Sequence, residues 1–164
     1  METQIWLQSG VDTAVKIAAE NFRQDLVKVC SCRAIFCESP EEARIIIGMT
    51  GTDELGAAIL DENRKLRWEA YSHRIDEKGR LVIAGNDRRG VIYGLYDLSR
   101  RFGVSPWYDM ADVPVRKSDS LKLPVEYGKI DWPSVQYRGV FLNDEEELWA
   151  WAKIHTPDGT IGPY

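Results

Sequence analysis

The amino-acid sequence predicts an α/β (α+β) fold: one mixed β-sheet with helices packed on it. Three observations carry that expectation. Arg44-Ile-Ile-Ile-Gly-Met49 is a continuous β-branched run of the kind found in strands covered on both faces. Two stretches, residues 11–29 and the segment from Asn86 or Asp87 to Phe102, repeat apolar residues at helical spacing. Strand-like and helix-like runs then alternate as β-α-β-β-(α)-β-β-α, which builds a layer of helices on a sheet.

Each element has its own local signal. Ile5-Trp6-Leu7 reads as a short strand. Ser9-Gly-Val-Asp12 fits a capping box, and Val11, Val15, Ala18, Phe22, Leu26 and Val29 mark one stripe of an amphipathic helix over 11–29. Arg33–Phe36 is a second strand, and Ser39-Pro-Glu-Glu42 places a cap residue, a first-turn proline and two acids at the start of a short helical turn. Residues 51–66 carry the weakest pattern, with a short helix over Glu54–Asp61 as its best reading. Trp68–Ile75 and Arg80–Ala84, joined by Asp76-Glu-Lys-Gly79, form a hairpin whose loop ends in glycine. The last helix presents Val91, Ile92, Leu95, Leu98 and Phe102 on one stripe, with Arg100 and Arg101 at its negative end and Gly103 as its stop.

Composition narrows the function. The chain has 164 residues, 44% apolar and 29% charged, with a net charge of −5. Those are values of an ordinary globular domain, and the acidic balance points away from nucleic acid and anionic membrane surfaces as partners. No apolar run approaches the length of a membrane span. Cys30, Cys32 and Cys37 lack the spacing of a zinc knuckle and read as free thiols. The start of the chain lacks a secretion signal, so it reads as cytoplasmic if Met1 is native and as secreted or periplasmic if a leader was removed. The turn-rich end, Thr156–Tyr164, reads as a boundary inside a longer polypeptide.

Three constellations bear on chemistry. Gly85-Asn-Asp-Arg-Arg-Gly90-Val-Ile-Tyr-Gly94 follows a strand and opens a helix, but it fits neither dinucleotide nor P-loop spacing; it reads as a tightly packed strand-to-helix turn. His73 and His155 stand without a nucleophile elbow and read as structural or solvated. From Ser105 the chain becomes extended, proline-punctuated and rich in aromatic residues. An apolar run, Val135–Leu142, then meets the acidic cluster Asn143-Asp-Glu-Glu-Glu147. Asn143, Asp144 and Glu145 are candidate substrate-binding residues on a sheet rim; the other reading is a solvated cap of a helix starting near Glu146. Glycoside cleavage needs two opposed carboxyl groups roughly 5–10 Å apart. Successive strand residues point to opposite faces, so this cluster supplies at most one of them, and no catalytic residue or metal ligand is assigned in this chain.

The strings Trp68-Glu-Ala-Tyr71, Leu81–Ser99, Gly103-Val-Ser-Pro-Trp-Tyr108, Ala111-Asp-Val-Pro-Val115 and Val135–Glu145 together resemble glycoside hydrolase family 115, the xylan α-glucuronidases. The resemblance implies an N-terminal α/β accessory domain over residues 1–128, similar to those preceding the barrels of family 20 and family 67 glycoside hydrolases. Residues 129–164 would then be a linker and the first strand, Val135–Leu142, of a TIM barrel carried here only in part. It also implies a parent enzyme that releases glucuronic or 4-O-methylglucuronic acid from xylan with inversion. The accessory domain would support the barrel and lend it active-site loop residues, without a cofactor. Its partners would be the rest of the polypeptide and a xylan-type carbohydrate. The alternative function is an independent carbohydrate-binding module, suggested by the nine of 17 aromatic residues that follow residue 106.

Overall fold

The computed structural model describes residues 2–109, 111–119 and 127–139, and the chain divides into two compact units, Met1–Pro133 and Ser134–Tyr164. In the first unit the order is β1 (Glu2–Leu7), α1 (Thr13–Cys30), β2 (Arg33–Cys37), β3 (Ile45–Met49), β4 (Tyr71–Ile75), β5 (Leu81–Gly85), α2 (Arg88–Phe102) and β6 (Gly128–Asp131). The six strands form one sheet in the order β2-β1-β3-β5-β4-β6. The first four in that order run parallel; β4 is antiparallel to both β5 and β6. The predicted mixed sheet with helices on it is therefore the observed architecture. In the second unit, residues 135–139 form no strand, and residues 140–142 of the expected strand lie outside the described residues.

Alternation along β3 and β5 divides the core. Ile45, Ile47, Leu81 and Ile83 face both helices, meeting Val15, Phe22 and Leu26 of α1 and Val91, Leu95 and Leu98 of α2. Ile46, Val82 and Ala84 point to the other face, where Ala43 and Leu55 cover them. Burial on both faces explains why β3 and β5 are continuously apolar.

Several boundaries differ from the sequence expectation. Helix α1 starts at Thr13 because Asp12, not Ser9, is its cap: the Asp12 carboxylate accepts from the Ala14 amide at 2.8 Å. Gly10, at φ 74°, turns the chain before that point. Segment 39–43 is a pair of tight turns, and residues 51–67 hold turns and two isolated bridges instead of a helix, with Gly51, Gly56 and Arg64 at positive φ. Strand β4 starts at Tyr71 because Glu69, at φ 52°, breaks the extended run. β6 has no counterpart in the sequence reading; it begins at residue 128, where the accessory domain was expected to end. Cys30 and Cys32 are joined in a disulfide and Cys37 alone is free, against the expectation of three free thiols. The left-handed Ser31 cap at φ 52° folds the helix end back, leaving the two Cα atoms 5.2 Å apart.

Helix α2 lies unusually close to the β4–β5 hairpin. A Cβ on Gly90 would stand 2.3 Å from the Ala70 carbonyl oxygen, and one on Gly85 2.2 Å from the Val91 nitrogen. At Gly94 the approach places its carbonyl 2.9 Å from Nε2 of His73, which is 1% exposed. Donation to that carbonyl fixes the proton on Nε2, so Nδ1, 3.1 Å from the Tyr127 hydroxyl, accepts from it. Burial drives the His73 pKa down to about 4, with Lys129 and Arg101 adding to the effect while the Gly94 hydrogen bond and the Asp97 carboxylate oppose it.

Two outcomes follow from this packing. Gly90→Ala gains helix propensity, yet its methyl meets fixed backbone, so we expect a net loss of about 2 kcal/mol and a Tm lower by roughly 4–8 °C. Thermal unfolding of the variant at or above the wild-type Tm would contradict the close approach. For His73, the folded pKa lies below the unfolded value near 6.5. Stability is therefore fully present above pH 6.5 and declines as the pH falls toward 4, by about 3 kcal/mol in the limit. Unfolding measured across pH 7 to 4.5 should show this decline in the wild type and a flatter profile in His73→Gln; equal slopes would refute it.

Candidate functional site

Asn143, Asp144 and Glu145, the predicted substrate-binding residues, lie outside the described residues, as do His155 and the helix expected near Glu146. The described residues instead contain three places where chemistry is conventionally found in such a fold: the carboxyl ends of the parallel strands, the strand-to-helix turn, and a cluster of charged side chains.

In open α/β sheets, ligands settle beyond the carboxyl ends of the strands, where the chain order reverses. Here that point lies between β1 and β3, and it is filled. The Gln8 side chain accepts from the Met49 amide at 2.8 Å, and a Cβ on Gly48 would stand 2.7 Å from both Gln8 and Leu55, itself 1% exposed. Beside it, beyond β5, Asn86 is 7% exposed and uses its whole hydrogen-bonding capacity. Its Oδ1 accepts from the Thr50 hydroxyl and the Ile59 amide, and its Nδ2 donates to the Ile59 and Arg67 carbonyls at 2.6 and 2.7 Å. Asn86 thereby fastens the 51–67 segment over the rim. The sequence reading saw Asn86 only as a possible helix cap; a buried asparagine serving a distant loop leaves no local pattern.

The turn from β5 into α2 is equally occupied. Asp87 caps the helix, accepting from the Gly90 amide at 2.8 Å and from the Glu69 amide at 2.7 Å. Its carboxylate stands where a phosphate would, and the glycines serve close packing, as described above. The expectation of a structural turn matches this geometry.

The charged cluster joins α2, β4 and β6. The Lys129 ammonium donates to Asp97 at 2.8 Å and to the Tyr71 hydroxyl at 2.9 Å, and lies 3.1 Å from Asp131. Burial alone would lower the Lys129 pKa, but these bonds outweigh it and hold the pKa above its ordinary value. Burial likewise tends to raise Asp97, yet hydrogen bonds from Arg100 and Lys129 keep its pKa below the usual carboxylate range. Burial pushes Tyr71 up to about 12. A glycosidic acid needs the opposite: a carboxyl group with a raised pKa facing a second carboxylate across the substrate. Asp97 and Asp131 instead share one ammonium. The cluster fixes β6 to the sheet and to α2. Among the described residues, no group of three or more His, Cys, Asp or Glu could hold a metal ion, and no helix is long and apolar enough to cross a membrane.

Comparison with known proteins places this geometry. No protein-family model and no curated protein matches the chain. Among solved structures, a family 115 4-O-methyl-α-glucuronidase with specificity for decorated arabinogalactans matches with a TM-score of 0.80 and 30% identity. The match covers 98% of this chain and 21% of the glucuronidase. A family 138 enzyme targeting pectin rhamnogalacturonan II (TM-score 0.46, 16% identity, 69% of this chain and 14% of that one) and a β-N-acetylhexosaminidase from Bacteroides fragilis (0.37, 14%, 60% and 16%) are too distant to carry argument. The chain thus spans about a fifth of the length of the enzyme it matches. In structure as in sequence, it resembles glycoside hydrolase family 115, and its mixed sheet and helices have the fold of one portion of such an enzyme.

Proposed function

We propose that this chain is the non-catalytic N-terminal α/β domain of a larger glycoside hydrolase, with residues 129–164 leading into the first strand of its catalytic barrel. The observation that carries this reading is the match of nearly the whole chain to about a fifth of a glucuronidase. The occupied strand rim and the neutralised carboxylates of the Lys129 cluster agree with it, since neither leaves an acid in position to protonate a leaving group. The parent enzyme releases glucuronic or 4-O-methylglucuronic acid from a polysaccharide with inversion; xylan and decorated arabinogalactan are the two backbones to distinguish. In that enzyme the domain supports the barrel and lends loop residues to the active site. Asn143, Asp144 and Glu145 sit at the mouth of the first barrel strand and hold the substrate.

The purified 164-residue chain should release no uronic acid from glucuronoxylan or from glucuronidated arabinogalactan. Enzyme-dependent release from either, measured by chromatography of the products, would overturn the non-catalytic reading. In the polypeptide carrying the complete barrel, Asp144→Asn or Glu145→Gln should reduce turnover about ten- to a hundred-fold at unchanged Tm, the loss of one charge-assisted hydrogen bond made in the transition state. Wild-type turnover in both variants would return the cluster to a solvated cap.

A further inference from the structure

We propose that the loop over residues 59–67 is a docking element that seats Leu60 and Leu66 in an apolar hollow on the part of the parent polypeptide beyond residue 164. The loop is a miniature antiparallel pair. The Asp61 amide donates to the Lys65 carbonyl at 2.9 Å and the Arg67 amide to the Ile59 carbonyl at 3.0 Å, on either side of a bridge between Leu60 and Leu66. A pair flanked in this way is itself not hydrogen-bonded, which brings its two side chains close together on one face. That face is open: Leu60 is 50% and Leu66 56% exposed. Their neighbours Ile59 and Arg67 belong to the opposite face, where the Arg67 guanidinium lies 4.0 Å from the centre of the Trp132 ring.

Two devices hold the loop in this shape. At its tip the Asp61 carboxylate accepts from the Asn63 and Lys65 amides, both at 2.9 Å, and Arg64 takes φ 59°. At its base Asn86 bonds the backbone of Ile59 and Arg67. Ordering an exposed apolar pair adds nothing to the core of this domain, whereas a rigid pair loses little freedom on binding. Charge does not select the occupant, because Asp61 and Glu62 balance Arg64 and Lys65 at the tip. Size does. Two half-exposed leucines offer a small part of the about 800 Å² that each partner of a free complex buries. Such a contact holds where the two surfaces are tethered in one polypeptide, since the link supplies the effective concentration. The match covers only 21% of the glucuronidase, so a parent of that kind has a large tethered remainder to supply the hollow. The choice of this occupant rests on the reading of the chain as one domain of a longer glycoside hydrolase.

The test compares amide hydrogen exchange in the 164-residue chain and in the polypeptide carrying the complete barrel. Exchange over residues 59–67 should be at least about tenfold slower in the longer polypeptide, and the double variant Leu60→Ser, Leu66→Ser should abolish that difference. In the 164-residue chain the double variant should keep the wild-type Tm, because neither side chain belongs to the core. In the longer polypeptide it should lower the Tm by about 3 °C or more. Equal exchange in the two wild-type proteins, or a lower Tm in the substituted 164-residue chain, would overturn the proposal. So would a 164-residue chain that is dimeric by light scattering and monomeric as the double variant, which assigns the pair to a second copy. Each of these results is independent of whether the chain releases uronic acid, so the two readings fail separately.

Discussion

The close approach of α2 to the β4–β5 hairpin is the constraint on which the rest depends. It is permitted at Gly85 and Gly90, where any side chain would collide with backbone, and at Gly94, where a Cβ would be 3.2–3.3 Å from Ile83, Tyr71 and His73. With the helix seated there, the Gly94 carbonyl reaches His73, Asp97 reaches Lys129 of β6, and Asp87 takes amides from both the helix start and the segment before β4. A buried histidine and a lysine shared by two carboxylates are tolerable only because each finds its partner, and those partners exist only at this spacing. The edge strand β6, four residues long, is therefore held as much by the Asp97–Lys129 link to α2 as by its ladder with β4.

The sequence disclosed those parts of the molecule that local patterns encode. The β-branched run at Ile45–Ile47, the apolar stripe of α2 with its Gly103 stop, and the Asp76–Gly79 hairpin all lie where periodicity and turn chemistry put them. In the hairpin loop the Asp76 carboxylate collects the Lys78 and Arg80 amides while Gly79 takes φ 73°, a local device with a local signature. What escaped were features set by partners distant in sequence. β6 is only four residues, with an alternating half-exposed pattern, and becomes a strand because β4 offers it an edge. Glu54–Asp61 reads as a short helix, but Leu55 is recruited as a cover for the far side of the sheet and Asn86 pins the backbone from 27 residues away. The start of α1 illustrates a smaller failure. Ser9 and Asp12 both had capping chemistry, and the turn at Gly10 decided between them.

For function, the family resemblance was carried by strings such as Leu81–Ser99, and the structure explains why that stretch is so distinctive. It contains one side of the close-packed unit, with β5, three glycines, the Asp87 cap and the first three turns of α2, while β4 and Ala70 supply the other. Such residues identify a scaffold. They do not identify a reaction, because a shared fold hosts many chemistries and the site must be argued from its own groups. On this scaffold Asn86, Asp87 and Asp97 are all engaged in holding strands, helix and loop together.

Two buried polar side chains show where the scaffold is finished and where it is not. Asn86 and Ser99 are buried to a similar degree, at 7% and 3% exposure. Asn86 makes four hydrogen bonds and closes the strand rim, so a ligand arriving there would have to displace a satisfied network. Ser99 makes none through its hydroxyl, although its carbonyl accepts from both Gly103 and Val104. An unsatisfied buried hydroxyl costs about 1–3 kcal/mol, a sizeable share of the 5–15 kcal/mol that keeps a domain folded. Replacing it with alanine would remove that cost without disturbing the helix. A scaffold that satisfies Asn86 in full and leaves Ser99 unpaired has spent its long-range polar contacts on closing the strand rim, and it carries the cost of one idle hydroxyl sealed inside the packing of α2.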